Sequence, residues 1–399
     1  MLKPSRGALQ GVKIIDLSRV LAGPFCTMML ADLGADVIKV EIPKRGDDSR
    51  QFPPFYKGES VYYINLNRNK RSITLNLKDP RGKKLFKKLV EKADVVIENF
   101  SPGTMDRLGV GYEALKKVNP RIIFASISGF GQYGPYRKRP GYDLIGQAMG
   151  GIMSITGWPD SPPTRTGTAI ADVLAGMFCA IGILSAIKSR EKSGVGQSVD
   201  VSLVDSVFTA IENVSEMYLV DGEVPGRIGN RYEFVYPYDT FKASDGWIAI
   251  GIGNDSLWRR FCQAIDREDL IEDERCLSNA KRVENHVFVK DIVEEWTVHR
   301  TVDEAYNYLL EKKVPSAPVL SIDQIVADPH IAEARQMVLE MMQPGLGMLK
   351  VIGNPIKLDK TPASIRTPAP SLGEHTGEVL EMLGLDRSEI LELKEAEVI

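Results

Sequence analysis

The sequence has 399 residues, of which 43% are hydrophobic and 26% are charged, and its net charge at pH 7 is −3. A chain of this length can fill two hydrophobic cores or one large one. Its nearly balanced charge argues against nucleic acid or an anionic membrane as a general partner. The four cysteines show no CxxC spacing, which indicates reduced thiols and predicts a cytoplasmic protein.

Several common catalytic motifs are missing. Histidine occurs only at His286, His299, His330 and His375, and the sequence contains no HExxH, no GxSxG and no P-loop. This pattern argues against a zinc site, serine-histidine catalysis and ATP-driven chemistry. The N-terminus lacks the apolar core of a signal peptide, and the longest apolar run, Val173–Ile187, is too short and too rich in glycine for a bilayer span.

The first part of the chain alternates between apolar strands and helices. We predict strands over 12–17, 36–41, 72–77, 95–98 and 122–127, and helices over 25–33, 80–92 and 112–117. This alternation predicts an α/β fold with a mostly parallel sheet covered by helices on both faces. Ligands of such sheets bind beyond the carboxyl ends of the strands. The segments SRVLAGP and NFSPG and the loop after Ser128 should therefore share one rim.

The loop after Ser128 contains a literal GxGxxG at Gly129, Gly131 and Gly134. A dinucleotide site needs such a motif to open a helix and to be followed by an acidic residue about twenty positions later. Here the motif runs into the segment PYRKRP and that acidic residue is missing. We therefore reject an NAD site.

Basic residues are frequent in or near the loops of this half. They are Arg68, Lys70, Arg71, Lys78, Arg107 and the run Arg137–Arg139. Most basic side chains are simply solvated. Several of them on one rim would suit a polyphosphate ligand.

The stretch 166–187, TGTAIADVLAGMFCAIGILSAI, contains a single carboxylate, Asp172. Small and apolar residues follow it at the spacing of a helix packed on all sides. Asp172 at the start of such a helix has two compatible interpretations. It is an N-cap stabilised by the helix dipole, or it presents a carboxylate to a substrate as nucleophile or base.

The second half of the chain predicts a smaller α+β region. A helical stretch after Asp200 leads into a polar passage over 221–238, and residues 240–250 predict a hairpin that turns at Ser244–Gly246. A helix should start at Asp255, another should span 287–298, and Thr301 with Glu304 forms a capping box for a third.

Motifs spread along nearly the whole chain resemble the family III CoA-transferases. They are DLSRVLAGPF, LGADVIKVE, NRNKRSITLNLK, VIENFSPGTMDRLG, ISGFG, YDLIGQAMGG, TAIADVLAG, SGVGQSVDVSL, DPHI and LGEHTGEVL. The resemblance implies a Rossmann-like large domain plus a smaller α+β domain, in an interlocked homodimer. It assigns 1–200 to the large domain, 201–225 to a linker, 226–320 to the small domain, and 321–399 to a segment that returns to the large domain.

The resemblance also implies the site. Asp172 matches the covalent nucleophile of the family, and coenzyme A, bound as an acyl-CoA substrate or product, is the only cofactor implied, without metal, NAD or ATP. The partners implied are an acyl-CoA, a carboxylic acid and a second copy of the chain, with no nucleic acid and no membrane. The CoA-binding positions implied are Val20, Leu21, Leu75, Asn76, Leu77, Lys78, Asn99, Phe100, Arg107, Tyr142 and Asp143. Leu21 and Ile42 depart from the formyl-CoA transferases of the family, which argues against formyl-CoA and oxalate as substrates.

Two alternatives remain open at the level of sequence. The related α-methylacyl-CoA racemases use the same aspartate in acid/base removal of an α-proton, and a CoA-binding protein without catalysis would keep the fold. The racemases carry a histidine before the aspartate that matches Asp143, where this chain has Tyr142. A tyrosine with a pKa near about 10 is a poor base at neutral pH, so the sequence favours CoA transfer through an anhydride and an aspartyl-CoA thioester on Asp172.

Overall fold

A computed structural model describes residues 7–399. The chain divides into two compact units. Unit 1 comprises the chain up to Ile152 together with Arg165–Glu216 and Asp328–Ile399, and unit 2 comprises Met153–Thr164 and Met217–Ala327.

Strands and helices alternate through the first part of unit 1, as the sequence predicts. The strands are β1 (Lys13–Asp16), β2 (Asp36–Glu41), β3 (Phe55–Tyr56), β4 (Glu59–Ser60), β5 (Lys70–Thr74), β6 (Val95–Glu98), β7 (Ile123–Ser128) and β8 (Ser198–Ser202). The helices up to the end of this part are α1 (Ala22–Asp32), α2 (Val61–Asn67), α3 (Pro80–Val90), α4 (Thr104–Arg107), α5 (Tyr112–Val118), α6 (Asp143–Met149), α7 (Ile152–Ile155), α8 (Ile170–Ser193), α9 (Leu203–Ala210) and α10 (Glu212–Asp221).

Six of these strands form one sheet in the order β5-β2-β1-β6-β7-β8, and every pairing in it is parallel. The prediction of a parallel α/β sheet is confirmed. The order runs outward in both directions from the neighbours β1 and β6, which is the arrangement of doubly wound sheets. A crevice is expected beyond the carboxyl ends of these two strands, because their connections leave toward opposite sides there.

Successive residues of the central strands enter different cores. Ile14 of β1 and Ile97 of β6 lie in the core that contains α1, α8 and α9, whereas Ile15 and Val96 lie in the core that contains α3 and α5. This alternation follows from the two-residue period of a strand. Both faces of the sheet are therefore buried.

Unit 2 contains a small antiparallel sheet in the order β11-β10-β9. The strands and helices of unit 2 from Tyr238 onward are β9 (Tyr238–Lys242), β10 (Trp247–Gly251), α11 (Asp255–Ala264), α12 (Asn279–Glu284), α13 (His286–Thr297), α14 (Val302–Glu311), β11 (Ser316–Pro318) and α15 (Ile322–Ala327). Trp247 pairs with Lys242 across the β9–β10 turn, which confirms the predicted hairpin. The capping box of Thr301 and Glu304 is present at the start of α14.

The last part of the chain belongs to unit 1. It contains the hairpin of β12 (Val338–Gln343) and β13 (Gly347–Ile352), followed by α16 (Thr376–Met382) and α17 (Arg387–Glu395). Val379 and Leu380 of α16 pack in the same core as α3 and α5.

The helical stretch predicted after Asp200 is confirmed, since it contains α9 and α10. Both helices lie within the residues 201–225 that the resemblance assigns to a linker, and Leu203 and Val207 of α9 are core residues of unit 1. One local feature differs from the sequence expectation. Helix α1 begins at Ala22 and not at Phe25, so Pro24 lies in its first turn. Proline is tolerated there because the first N–H groups of a helix have no intrahelical partner.

Helix α8 is long and apolar enough to cross a membrane by length and composition, and it is the one such helix among residues 7–399. Core helices of soluble proteins pass the same test. Ala175, Cys179 and Ile183 of α8 are fully buried in the core on the β1–β6 side. One face of the helix thus packs in the interior of unit 1, whereas Met177 and Ile181 on the opposite face are exposed, so the expectation of a helix packed on all sides is wrong.

Candidate active site

A cleft of about 230 Å³ lies beyond the carboxyl ends of β1, β6 and β7. All residues that line it belong to unit 1. They are Arg19, Val20, Leu21, Ala22, Asp48, Asn99, Phe100, Ser101, Pro102, Ile127, Ser128, Gly129, Arg139, Pro140, Gly141, Tyr142, Asp172 and Leu203. The predicted rim is therefore confirmed, since all three loops placed on it by the sequence meet at this cleft.

Asp172 reaches the cleft from the first turn of α8. Ala169 is the residue that precedes the helix, and it provides no side-chain cap. The interpretation of Asp172 as the N-cap is therefore wrong, because Asp172 lies three residues beyond that position and has helical backbone. Its carboxylate is left to face the cleft.

Close packing of α1 against α8 places the start of α1 beside Asp172. A Cβ atom on Gly176 would lie 2.7 Å from the backbone oxygen of Ala22, so a residue larger than glycine would push the two helices apart. On the other side of Asp172, a Cβ on Gly146 of α6 would lie 2.9 Å from the Cβ of Ala171. Two glycines thus let three helices converge on one carboxylate.

The carboxyl group of Asp172 is unusually basic. Burial, with a smaller contribution from the nearby negative charge of Asp143, raises its pKa to about 7. The same two effects act on Tyr62 of α2, because burial and, to a smaller extent, the charge of Asp172 raise its pKa to about 12. At neutral pH, Asp172 is thus present in comparable amounts as carboxylate and as acid, and the carboxylate form is more nucleophilic than an ordinary one.

The loop between β1 and α1 is held in a defined shape. The side chain of Asn99 accepts a hydrogen bond from the backbone N–H of Arg19 and donates one to its carbonyl oxygen, both at 2.8 Å. Val20 has a φ of 66°, which is costly for a β-branched residue. Its N–H donates to Asp47 at 3.1 Å. These contacts fix the backbone that lines the cleft opposite Asp172.

Buried ion pairs support this loop from below. Lys39 contacts Asp47 at 2.8 Å and Lys70 contacts Asp16 at 3.1 Å, and all four side chains are inaccessible to solvent. Burial lowers the pKa of Lys70 to about 8 despite this pairing. Separating either pair would leave an uncompensated charge in the interior. Each pair therefore fixes the relative position of the two segments that carry its members.

The expected polyphosphate role of the basic residues before β5 is wrong for Arg68 and Lys70. Arg68 is buried in an ion pair with Asp32 at 2.7 Å, and Lys70 is buried as described. Both precede or begin β5, so they lie at the amino end of a parallel strand, away from the rim on which ligands bind. Arg71 is engaged with Asp36 and Glu378.

Five of the positions implied for CoA binding line the cleft together with Asp172, namely Val20, Leu21, Asn99, Phe100 and Tyr142. Leu75 is a core residue, and its N–H bonds to the carbonyl of Glu41. Leu77 packs against the same core. Asn76 accepts from the N–H of Lys78, whose side chain is exposed. These four therefore lie at the turn from β5 to α3, outside the cleft lining.

The remaining two positions also lie outside the cleft lining. Arg107 ends α4, is exposed, and donates to Thr104 at 2.8 Å. Asp143 begins α6 and its carboxylate is occupied by two internal hydrogen bonds. Each carboxylate oxygen of Asp143 thus already accepts one hydrogen bond from within unit 1.

Two charged residues of the cleft, Arg19 and Asp48, were not assigned from the sequence, whereas Arg139 belongs to the basic run predicted near the rim. Arg19 pairs with Asp48 at 3.0 Å and lies over the ring of Phe100 at 5.2 Å. Arg139 stacks on Tyr136 at 3.5 Å. Arg19 belongs to the segment SRVLAGP, so its position on the rim could have been predicted from the sequence. Asp48 lies after β2, and no sequence motif there predicts a position at the cleft.

Glu98 lines a neighbouring cavity of about 330 Å³ and contacts the Asn99–Phe100 loop. Its carboxylate accepts the N–H of Phe100 at 2.7 Å. Burial raises its pKa to about 7, with Asp200 and Asp106 as like-charged neighbours. Among residues 7–399, no three His, Cys, Asp or Glu side chains lie close enough together to hold a metal ion.

Comparison with known proteins gives one consistent result. The sequence profile of CoA-transferase family III matches residues 9–376. A succinyl-CoA:mesaconate CoA-transferase from Haloarcula marismortui is 42% identical over 95% of this chain and 97% of its own length. A succinyl-CoA–D-citramalate CoA-transferase from Chloroflexus aurantiacus is 39% identical over 98% of both chains. The crystal structure of a CAIB/BAIF family protein from Brucella suis is 38% identical and superimposes with a TM-score of 0.83 over 95% of this chain and 100% of that one.

Proposed function

We propose, since the chain belongs to CoA-transferase family III, that Asp172 is the nucleophile through which it moves CoA from an acyl-CoA to a carboxylic acid. The chain is a CoA-transferase, and the proposal adds the residue and the intermediates. One observation supports it above the others. Asp172 is a partly buried carboxylate with a pKa raised to about 7, and it lines a cleft at the ligand-binding edge of a parallel sheet.

The reaction proceeds by exchange at two carbonyl groups. The Asp172 carboxylate attacks the donor thioester, the C–S bond breaks, and a mixed anhydride and CoA thiolate form. The thiolate attacks the aspartyl carbonyl and releases the donor acid, which leaves an aspartyl-CoA thioester. The acceptor carboxylate then displaces CoA to give a second anhydride. Attack of CoA thiolate on the acceptor carbonyl yields the new acyl-CoA and restores Asp172.

Each attack develops negative charge on a carbonyl oxygen, and the start of α1 is suited to stabilise it. Helix α1 has Leu21 at its N-cap position and no side-chain cap. The N–H groups of Ala22 and Gly23 in its first turn are therefore left for a ligand, with the positive end of the helix dipole behind them. Leu21 and Ala22 both line the cleft with Asp172.

Coenzyme A is proposed to bind along the rim. We propose contacts with Val20, Leu21, Asn99, Phe100 and Tyr142 in the cleft, and with 76–78 and Arg107 along the surface beyond it, whereas the buried Leu75 is left out. Arg19 and Arg139 are added as cleft cations. A cleft of about 230 Å³ is small for a ligand pocket, which favours a cleft that holds the thioester while the nucleotide lies on the outer rim.

A dicarboxylic acid is the proposed acceptor class. The relatives from Haloarcula marismortui and Chloroflexus aurantiacus are named for transfer from succinyl-CoA to mesaconate and to D-citramalate. Succinate, mesaconate and citramalate all carry a second carboxylate. An arginine on the cleft wall can bind such a group through paired N–H donors, and Arg139 has its guanidinium stacked at that wall.

Substitution of Asp172 tests the nucleophile. We expect Asp172→Ala and Asp172→Asn to lose CoA transfer by at least about a thousandfold, because neither side chain can form the anhydride. Wild-type protein incubated with succinyl-CoA and digested should carry added CoA or succinyl mass on the peptide that contains Asp172. Asp205→Asn, on the surface of α9, is the matched control and should keep both activity and adduct.

Two results would remove this assignment. One is an adduct on any other residue, and the other is near-normal turnover by Asp172→Ala.

A second experiment separates transfer from racemisation. We expect no appreciable deuterium uptake at the α-position of a chiral 2-methylacyl-CoA in deuterated water, because Tyr142 replaces the histidine that would carry the proton. Mass and optical rotation of the recovered thioester give the measurement. Rapid exchange with loss of chirality, and no CoA transfer to succinate or mesaconate, would show that the chain is a racemase.

We further propose a cytoplasmic homodimer with a large domain built from both chain ends and a small domain between them. The four cysteines are free thiols and buried, which suits a reducing compartment. Exposed apolar side chains of α6, α8 and α9 support the dimer.

A further inference from the structure

Asp143 contacts the backbone beside Asp172. One carboxylate oxygen of Asp143 accepts the N–H of Ala171 at 2.9 Å. Ala171 is the residue directly before Asp172, in the first turn of a helix that has no side-chain cap of its own. Asp143 therefore satisfies an N–H group that would otherwise lack a partner at the start of α8.

Gln147 holds Asp143 in this position. Its amide nitrogen donates to the second carboxylate oxygen of Asp143 at 2.7 Å, and its amide oxygen accepts the N–H of Thr166 at 2.9 Å. Gln147 is completely buried. One amide side chain thus ties α6 to the segment that leads into α8, and all of its strong contacts serve the position of that segment.

We propose that Asp143, oriented by Gln147, is a positioning residue for Asp172 that fixes the first turn of α8 and sets a second negative charge beside the nucleophile. This inference rests on the proposed function of Asp172. It also changes the role implied for Asp143 from a contact with CoA to a contact with the catalytic helix.

The second charge acts on the reaction in a definite direction. Burial is the larger cause of the raised pKa of Asp172 and the charge of Asp143 is the second. A more basic carboxylate is a better nucleophile when ionised. The repulsion between the two carboxylates disappears when Asp172 becomes an anhydride or a thioester, because both forms are neutral. Asp143 therefore favours the covalent intermediates over the free carboxylate.

Other charged or titratable groups also face this part of the cleft. Tyr62 of α2 interacts with Asp172 and with Asp143. Arg19, Asp48, Arg139 and Tyr142 line the cleft with Asp172. Among these groups, Asp143 is the one whose charge contributes to the raised pKa of Asp172.

The test measures pH profiles of kcat and KM for succinyl-CoA in three proteins. Asp143→Asn keeps an acceptor for the N–H of Ala171 and removes the charge, and it also loses the hydrogen bond from Gln147, because its amide nitrogen cannot accept. We expect the acidic limb of kcat to move down by about one pH unit, kcat at pH 8.5 to fall roughly tenfold, and KM to stay within about threefold. Gln147→Met keeps the charge of Asp143 and removes the amide group that holds Asp143 in place. It should lower kcat without moving the limb toward lower pH.

Circular dichroism and thermal unfolding verify that both variants are folded. An acidic limb that stays in place in Asp143→Asn would overturn the inference. So would a tenfold rise in KM for succinyl-CoA at unchanged kcat, which would mark Asp143 as a CoA contact. Adduct formation on Asp172 is measured in parallel, and its absence from the wild-type enzyme would overturn the proposed function and the inference with it.

Discussion

The carboxylate of Asp172 is placed where it destabilises the folded protein at neutral pH. Its ordinary pKa of 3.8 rises to about 7 through burial and the charge of Asp143. A group with a raised folded-state pKa binds its proton more tightly in the folded protein than in the unfolded chain. Stability therefore falls as pH rises from about 4 to about 7, and the loss is complete above that window. The role proposed for Asp172 would thus be a case of function opposing stability.

This linkage predicts that removal of the charge stabilises the protein. We expect Asp172→Asn to raise the free energy of unfolding by about 1–3 kcal/mol at pH 8, after allowance for solvent screening of a partly exposed group, and by nothing measurable at pH 4. Denaturant unfolding at pH 8, 6 and 4 gives the comparison. Asp47→Asn is a control of opposite sign, because pairing with Lys39 overcomes burial and lowers the pKa of Asp47. An Asp172→Asn variant less stable than wild type at pH 8 would contradict the prediction.

At the residue scale, the sequence singled out Asp172 as a candidate but not the groups that hold it. Asp172 stood out because it is the single carboxylate in an apolar stretch. Asp143 and Gln147, the two residues that hold the start of α8, precede Asp172 by 29 and 25 positions. No short-range sequence pattern connects either of them with Asp172. Arg68 and Lys70 look like surface cations in the sequence, and only the tertiary structure places Asp32 and Asp16 against them.

At the scale of elements, the site depends on how closely α1 approaches α8. The backbone oxygen of Ala22 lies 2.7 Å from where a Cβ of Gly176 would be. Ala22 begins the helix whose first turn lines the cleft. The distance between the two helices therefore also sets the distance between Asp172 and the N–H groups proposed to stabilise its intermediates.

Gly176→Ala should destabilise the protein although alanine is the better helix former. Alanine in place of glycine inside a helix usually gains up to about 1 kcal/mol. Here the added methyl group meets backbone, so we expect a net loss of roughly 1–3 kcal/mol and a lower kcat. Gly377→Ala in helix α16 is the control, because nothing lies within 4 Å of where its Cβ would be. Thermal unfolding and kcat of both variants give the test, and equal stability of the two would refute the packing argument.

The central strands β1, β2, β6 and β7 were predictable because they are rich in apolar residues that pack on both faces, whereas β5 (Lys70–Thr74) lies earlier than the predicted 72–77 and the edge strand β8 was not predicted. Strands β2 and β6 begin and end where the sequence places them, at 36–41 and 95–98. The start of α1 was not predictable from the motif SRVLAGP, because glycine and proline usually mark a loop. Proline fits the first turn of α1 only because that turn needs no N–H donor.

At the scale of the whole molecule, one apolar surface of unit 1 is exposed to solvent in the structure of residues 7–399. It is formed by side chains of α6, α8 and α9, three helices that pack against one another. Its exposed members are Leu144, Ile145, Met149, Met177, Ile181 and Phe208. Met177 and Ile181 are one turn apart on α8, opposite the stripe that Ala175, Cys179 and Ile183 bury in the core. Contiguous exposed apolar side chains usually mark an interaction site.

We expect this surface to be covered by a second copy of the chain, in agreement with the dimer implied by the family resemblance. Ile181 is 57% exposed in the single chain, so Ile181→Lys would be harmless to a monomer and would bury an unpaired charge in a dimer. The variant should dissociate or lose activity, whereas Leu391→Lys should do neither. Leu391 is 59% exposed and lies on α17, which packs in the other core. Sedimentation across a hundredfold range of concentration, with activity measured on the same samples, decides the matter. An active, folded wild-type monomer at low concentration would rule the dimer out.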